Sequence, residues 1–231
     1  MEKINHPKLL NHYMKKYNLS DYFSKDVSSH LNLYFWKKGE HICREEENND
    51  YLFFFVDGKA KVYTTLKNGK SLLICFYDDF NLIGSLEMMD HRLSTASIQV
   101  IEDSFCIGIK QSAVHRYLLE DVVFLQFILR SLSIELERST KNSSINLLYP
   151  LENRLASYLF ATKEEPNLDI SIYPIFNENL TSLAELLGTS YRHLHRSLKV
   201  LADKKVINKA AHGFELIDLP QLEELAAELY H

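Results

Sequence analysis

Six lysines and arginines but a single aspartate lie between Gly188 and Gly213, a local charge of +5 in a chain whose net charge is −5, so the rest carries −10. Cations gathered on one segment are the footprint of a phosphate-bearing partner. Tyr191, Arg192, His193, His195 and Arg196 open a helix-forming run there, just after Thr189 and Ser190, either of which can accept a backbone N–H as N-cap. Upstream, Leu180, Leu183, Ala184 and Leu187 recur at helical spacing, stop at Gly188, and the pattern resumes as Leu194, Leu198 and Leu201. Glycine tolerates positive φ, so the chain can turn there. Two short helices about a tight turn, the second rich in cations, form the layout of a DNA-binding helix-turn-helix. A helical hairpin in any bundle has the same apolar spacing, and the local charge is what favours nucleic acid.

The elements around this stretch must present it. A length of 231 residues with 46% hydrophobic content allows two domains with real cores. Cys43, Cys75 and Cys106 are odd in number and widely spaced, and MEKINHPKLL has no apolar signal core, which predicts a cytosolic protein with reduced thiols. The sequence has no apolar run of the roughly 18 residues that a membrane span needs. Residues 3–24 read as one or two amphipathic helices. From Leu31 to Ile109 short runs rich in Phe, Tyr, Val and Ile alternate with turn signals, the texture of a β-roll or sandwich. Asn68-Gly69 between KVYTTL and SLLICFY predicts a hairpin with a type I′ turn.

After Ser112 a long helix is expected, its stripe running through Leu118, Val122, Leu125, Leu129, Leu132 and Leu136. One helix packed on the roll would account for the stripe. The breadth added by Phe124, Phe127 and Ile128 suits two partners, the roll and a second subunit. The helix should weaken or end within STKNSSIN at 139–146, before Pro150, and that stretch is read as a hinge. Leu151–Ala161 reads as a helix, KEEPNLD as a loop, ISIYPIF as a strand, and VINKAAHGFELIDL as a two-stranded wing followed by a last helix from Asp218.

Lys38-Gly39-Glu40-x-Ile42, Leu52-x-Phe54-x-Val56-x-Gly58-x-Ala60-x-Val62, Ile83-Gly84 and Phe105-x-Ile107, followed by the two-helix stretch, give the chain a resemblance to the Crp/Fnr family of bacterial transcription regulators. The resemblance covers nearly the whole chain in order. It implies an α+β fold: an N-terminal helix and β-roll sensor at 1–111, a dimerisation helix and hinge at 112–148, and a winged helix-turn-helix at 149–231.

It also implies a homodimer on double-stranded DNA, with recognition helices about 34 Å apart reading an inverted repeat. Arg196 stands where the family has a base-reading arginine, and its other two readers fall on Tyr191 and Arg192. Thr189, Ser190 and Lys199 are expected at phosphates, and His195 joins the DNA-binding set. RNA polymerase and an unknown small effector are the further candidate partners.

Cyclic-nucleotide-binding members carry a Gly-Glu pair, then an Arg beside Ser or Thr and Ala; the Glu holds the ribose and the Arg the cyclic phosphate. Here Gly84 is kept, the Glu position is Ser85, and the Arg position falls on Thr95 before Ala96. A buried phosphate without a cation is costly to desolvate, so this degenerate pocket is not expected to hold cyclic AMP in the family's manner. Arg92 is the nearest substitute cation. Residues 1–40 lack the cysteines of an iron–sulfur sensor, and His41, His91 and His115 are haem candidates by type alone, so no cofactor and no metal site is expected. The acidic run Glu45–Asp50 reads as a solvated loop. Two other functions remain open at this stage. A cupin-like metal enzyme with a DNA-binding tail would need clustered His and Glu ligands, yet His193 and His195 point apart on a helix. A module whose winged helix meets protein would not need the local cations.

Overall fold

The computed structural model describes residues 1–231 apart from 79, 91, 165, 167–170, 212, 228 and 231 and the side chain of Asp90. The chain runs β1 (Glu2–Ile4), α1 (Pro7–Lys16), 3-10 turns at Leu19–Tyr22 and Ser28–His30, β2 (Asn32–Trp36), β3 (His41–Cys43), β4 (Tyr51–Asp57), β5 (Ala60–Thr65), β6 (Ser71–Tyr77), β7 (Asn81–Ile83), α2 (Glu87–Asp90), β8 (Ser97–Val100) and β9 (Ser104–Lys110). Then come α3 (Gln111–Tyr117), α4 (Val122–Leu148), α5 (Leu151–Thr162), β10 (Ile175–Phe176), α6 (Leu180–Leu186), α7 (Tyr191–Asp203), β11 (Ile207–Ala210), β12 (Gly213–Leu216) and α8 (Leu219–Ala226). These elements gather into two compact units, Met1–Thr64 with Phe76–Ser139, and Thr65–Cys75 with Thr140–His231.

Two antiparallel sheets make the roll, in strand orders β1-β2-β9-β4-β7 and β3-β8-β5-β6. The apolar run of β4 is continuous because both its faces are covered. Leu52, Phe54 and Val56 join the core shared with Phe124 and Ile128 of α4. Phe53 faces the other way, against Trp36 and Tyr34 with ring centres 5.2 and 5.7 Å distant.

Several expectations are corrected here. The N-terminal stretch is a strand as well as a helix, since β1 pairs with β2 from Ile4↔Leu33 to Glu2↔Phe35. In the β5–β6 hairpin only Gly69 has positive φ, at +78°. Asn68 instead accepts the Lys70 N–H on its side chain, and Gly69 N–H closes on Leu66 O at 2.8 Å, so the turn is not type I′. The expected single long helix is broken between Tyr117 and Val122, where Leu118 is fully buried in the core and Asp121 N–H returns to Leu118 O.

Beyond that break, α4 does not weaken at 139–146 but continues to Leu148. Ser144 donates to Thr140 O one turn back and Ile145 is buried, so the helix persists through the polar stretch even though the buried Asn142 amide finds no hydrogen-bond partner. Pro150 then sets its end. The expected strand at ISIYPIF shrinks to Ile175–Phe176; Pro174, which can donate no ladder hydrogen bond, precedes it, and Ile170 lies outside the described residues. Most of the expected KEEPNLD loop also falls outside them.

Asp121 fixes the start of α4. Its carboxylate accepts from Ser24 N at 2.7 Å, Val123 N at 3.0 Å and Phe124 N at 3.4 Å. Burial pushes this carboxyl up, but the Ser24 backbone N–H and hydroxyl, with the Phe124 and Val123 N–H groups, outweigh it and hold the group below the usual carboxylate range. Asp121→Ala is expected to cost about 1–3 kcal/mol at neutral pH in urea unfolding. Because the folded carboxyl titrates below its unfolded value, the difference from the parent should shrink as pH falls through the carboxylate range.

Candidate nucleic-acid interface

Asn179 caps α6, accepting from Thr181 N at 2.8 Å and Ser182 N at 3.2 Å. The turn that follows is closed by Gly188 N–H on Glu185 O at 2.9 Å and Thr189 N–H on Ala184 O at 2.8 Å, with Gly188 at φ +62°. Ser190 then caps α7 by accepting from His193 N at 3.2 Å, and Thr189 Oγ1 lies 3.3 Å from His193 Nδ1. Leu194, Leu198 and Leu201 are buried, and Ser197 donates to Glu152 Oε1, so α7 has one fixed inner face.

The opposite face carries the residues singled out from the sequence. Tyr191, Arg192, His195, Arg196 and Lys199 are all exposed, and the rings of Tyr191 and His195 lie 6.2 Å apart. Among the described residues the side chains of Arg192, Arg196 and Lys199 make no hydrogen bond or ion pair. Ser190 is exposed beside them and Thr189 half-buried. Three uncommitted cations, a tyrosine and an imidazole on one helix face can meet phosphates and base edges.

Exposed Lys204, Lys205 and Lys209 lie beyond α7, the last on β11 of the wing. They entered the charge count of the sequence without being named as contacts; only the placement of the wing distinguishes them. The wing closes because Gly213, at φ +127°, sits where any Cβ would collide with the Phe176 carbonyl, so that β12 pairs with both β10 and β11.

The four residues expected to mark the degenerate sensor pocket differ in exposure. Gly84, at φ +94°, leaves no room for a Cβ beside Tyr51 O, and Ser85 is buried. Thr95 is exposed and Ala96 half-buried, so the inward side chain of that turn is Ser94, buried beside the Cys43 thiol. Thr95 is the residue expected at the Arg position, and Ser94 beside it is the one whose side chain is buried. Arg92 is exposed. Burial pushes the Cys43 thiol up to about 12, with the Glu87 carboxylate adding to the shift, and the buried Cys106 thiol is raised as well. His41 Nε2 lies 2.9 Å from Tyr63 Oη, His115 Nε2 lies 2.7 Å from Met88 O, and His91 is outside the described residues. Among the described residues no three His, Cys, Asp or Glu side chains group to hold a metal, and no helix is long and apolar enough to cross a membrane.

Two family models match the chain, the cyclic nucleotide-binding domain over residues 34–121 and the Crp-like helix-turn-helix domain over residues 153–225. The regulatory protein YeiL of Escherichia coli O157:H7 is 30% identical over 216 residues, covering 94% of this chain and 95% of that protein. The cyclic AMP receptor protein of Thermus thermophilus is 23% identical over 195 residues, covering 83% and 86%. Among solved structures, a transcriptional regulator assigned to the crp/fnr family from Eubacterium rectale matches with a TM-score of 0.70 at 15% identity, covering 87% of this chain and 92% of that one. A CRP-family transcriptional regulator from Thermus thermophilus matches at 0.64 and 16% identity, covering 86% and 98%.

The cap and the turn of the two-helix element are expected to be separable in urea unfolding. Ser190→Ala should cost about 1 kcal/mol. Gly188→Ala should cost about 1–2 kcal/mol, because alanine is strained at positive φ and its Cβ would press on Leu72 Cδ1 at 3.3 Å.

Proposed function

The chain belongs to the Crp/Fnr family of transcription regulators, and from that premise we propose that the α7 face reads an inverted repeat in double-stranded DNA for a homodimer. The observation that carries this reading is the row of exposed cations on α7, with none of the Arg192, Arg196 and Lys199 side chains tied to another group of the described chain. Arg196 reads a base edge, with Arg192 and Tyr191 beside it; Thr189, Ser190, His195 and Lys199 position the helix on phosphates and sugars. Lys209 on the wing adds a phosphate contact.

Pairing of two subunits along α4 is supported by its exposed apolar side chains, including Val122 at 65%, Leu129 at 64% and Leu136 at 69% exposure. The domain limits this reading uses are a sensor at 1–111, a dimerisation helix at 112–148 and a DNA-binding domain at 149–231. The protein acts in the cytoplasm, without catalysis of its own, and RNA polymerase is the further partner implied. Ser85 and Ser94 in place of the phosphate-holding residues support an effector other than cyclic AMP.

Arg196→Ala is expected to cost about 1–3 kcal/mol on the cognate site and to flatten the preference between sites. Lys199→Ala should weaken all sequences alike and lower the salt slope by about 1. Binding titrations at several salt concentrations on sites selected from genomic fragments check both, and unchanged discrimination by Arg196→Ala would remove it from base reading. Calorimetry with cyclic AMP is expected to show no micromolar binding.

A further inference from the structure

Within the first unit, one flank of α4 borders a cavity of about 460 Å³, a size at which small organic ligands are held. Its wall is aromatic. Tyr22 stacks on Phe127 with ring centres 4.0 Å apart, and Phe80 lies 5.9 Å from Tyr22 and 6.5 Å from Phe127. Its remaining lining carries both signs of charge, with Arg130, Glu135 and Arg138 contributed by α4 and a second carboxylate, the exposed Asp21, from the turn before Tyr22.

Two of these charged groups are uncommitted. Among the described residues neither the Arg130 nor the Glu135 side chain makes a hydrogen bond or an ion pair. Burial pushes the Glu135 carboxyl up, the Arg138 guanidinium draws it down, and the Glu87 carboxylate pushes it up again. Arg138 is held in place, its guanidinium 5.3 Å over the Tyr77 ring and donating to Asn81 Oδ1 at 2.8 Å. A half-buried carboxylate without a donor is unfavourable, and an ammonium group brought to it forms a charge-assisted bond. Positions 127, 130, 134 and 138 fall nearly opposite positions 122, 125, 129, 132 and 136 on a helix of 3.6 residues per turn. Subunits pairing along that apolar stripe would therefore leave this flank uncovered.

We propose that this cavity binds a free α-amino acid with a large apolar side chain, its ammonium on Glu135, its carboxylate on Arg130 and Arg138, and its side chain on Phe80, Phe127 and Tyr22. Both charges are required of the ligand. A plain amine leaves two guanidinium groups facing it without a counter-charge, and a plain carboxylic acid meets the Glu135 carboxylate. Glu135 and Arg138 are about 4.5 Å apart along the helix axis, a spacing that suits the adjacent ammonium and carboxylate of one α-carbon. As the effector of a DNA-binding regulator this ligand rests on the function proposed above; as a bound molecule it does not.

Calorimetry on the full chain without DNA tests the site, with L-phenylalanine and L-leucine as probes and phenethylamine and 3-phenylpropionate as single-charge controls. Both amino acids are expected to bind, and the controls to bind at least about tenfold more weakly. Glu135→Gln and Arg130→Ala should each weaken the amino acids about tenfold or more at an unchanged melting temperature. Absence of heat with every apolar amino acid at millimolar concentration overturns the proposal, as does equal binding of either control or parent-like binding by Glu135→Gln. Titration of the same preparations with DNA separates the two readings. Heats without DNA binding defeat the interface on α7, whereas DNA binding without heats defeats the cavity.

Discussion

The carbonyl of Leu187 leaves the corner between α6 and α7, and it is held by more than the turn itself. Arg154 of α5 donates Nη1 to it at 2.8 Å, and Leu187 pairs with Leu72 of the β5–β6 hairpin in an isolated antiparallel bridge. With Gly188 in the left-handed region and Ser190 capping the next helix, the first turn of α7 has little freedom left. Where the side chains of Arg192, Arg196 and Lys199 point is therefore decided at a residue that carries no charge. A recognition surface has to be stiff before it can discriminate, since a cation free to wander meets any phosphate equally well.

What could be read from the sequence follows the range of the interactions. The two helices around Gly188 are local: their apolar residues, glycine and caps lie within one short stretch, and the structure places each of them as the spacing implies. The three-residue strand β1 depends on β2 far along the chain, and no periodicity of its own announces it. The polar run at 139–146 misleads for a related reason. Low intrinsic helix propensity is outweighed by the packing of Ile145 and by the Ser144 hydroxyl, which bonds to a carbonyl one turn back. At the interface, the cations could be named from charge and motif, whereas their freedom from internal partners could be seen only in three dimensions. The cavity beside Glu135 had no signal at all, because its walls come from three separate parts of the chain.

The sensor half keeps the frame of its relatives and changes the groups inside. Gly84 is retained for backbone reasons, since a side chain there would strike the Tyr51 carbonyl. Ser85 and Ser94 are buried there, and the buried Glu87 carboxylate lies close enough to raise the Cys43 thiol.

The three backbone N–H groups gathered on Asp121 fix where α4 begins, and with it the rotational phase of every side chain downstream. Phe127 and Arg138 are eleven residues apart, just over three whole turns, and so lie along nearly one line of the helix about 16.5 Å from each other. Both border the same cavity, and Arg138 reaches the Tyr77 ring and Asn81 from there. A single residue inserted between positions 128 and 137 would leave the Asp121 cap and the Phe127 wall untouched. It would nevertheless swing the Arg138 guanidinium about 100° around the axis, away from both of its partners. The number of residues between Phe127 and Arg138 is therefore a phase setting, and at the exposed positions among them composition matters less than count.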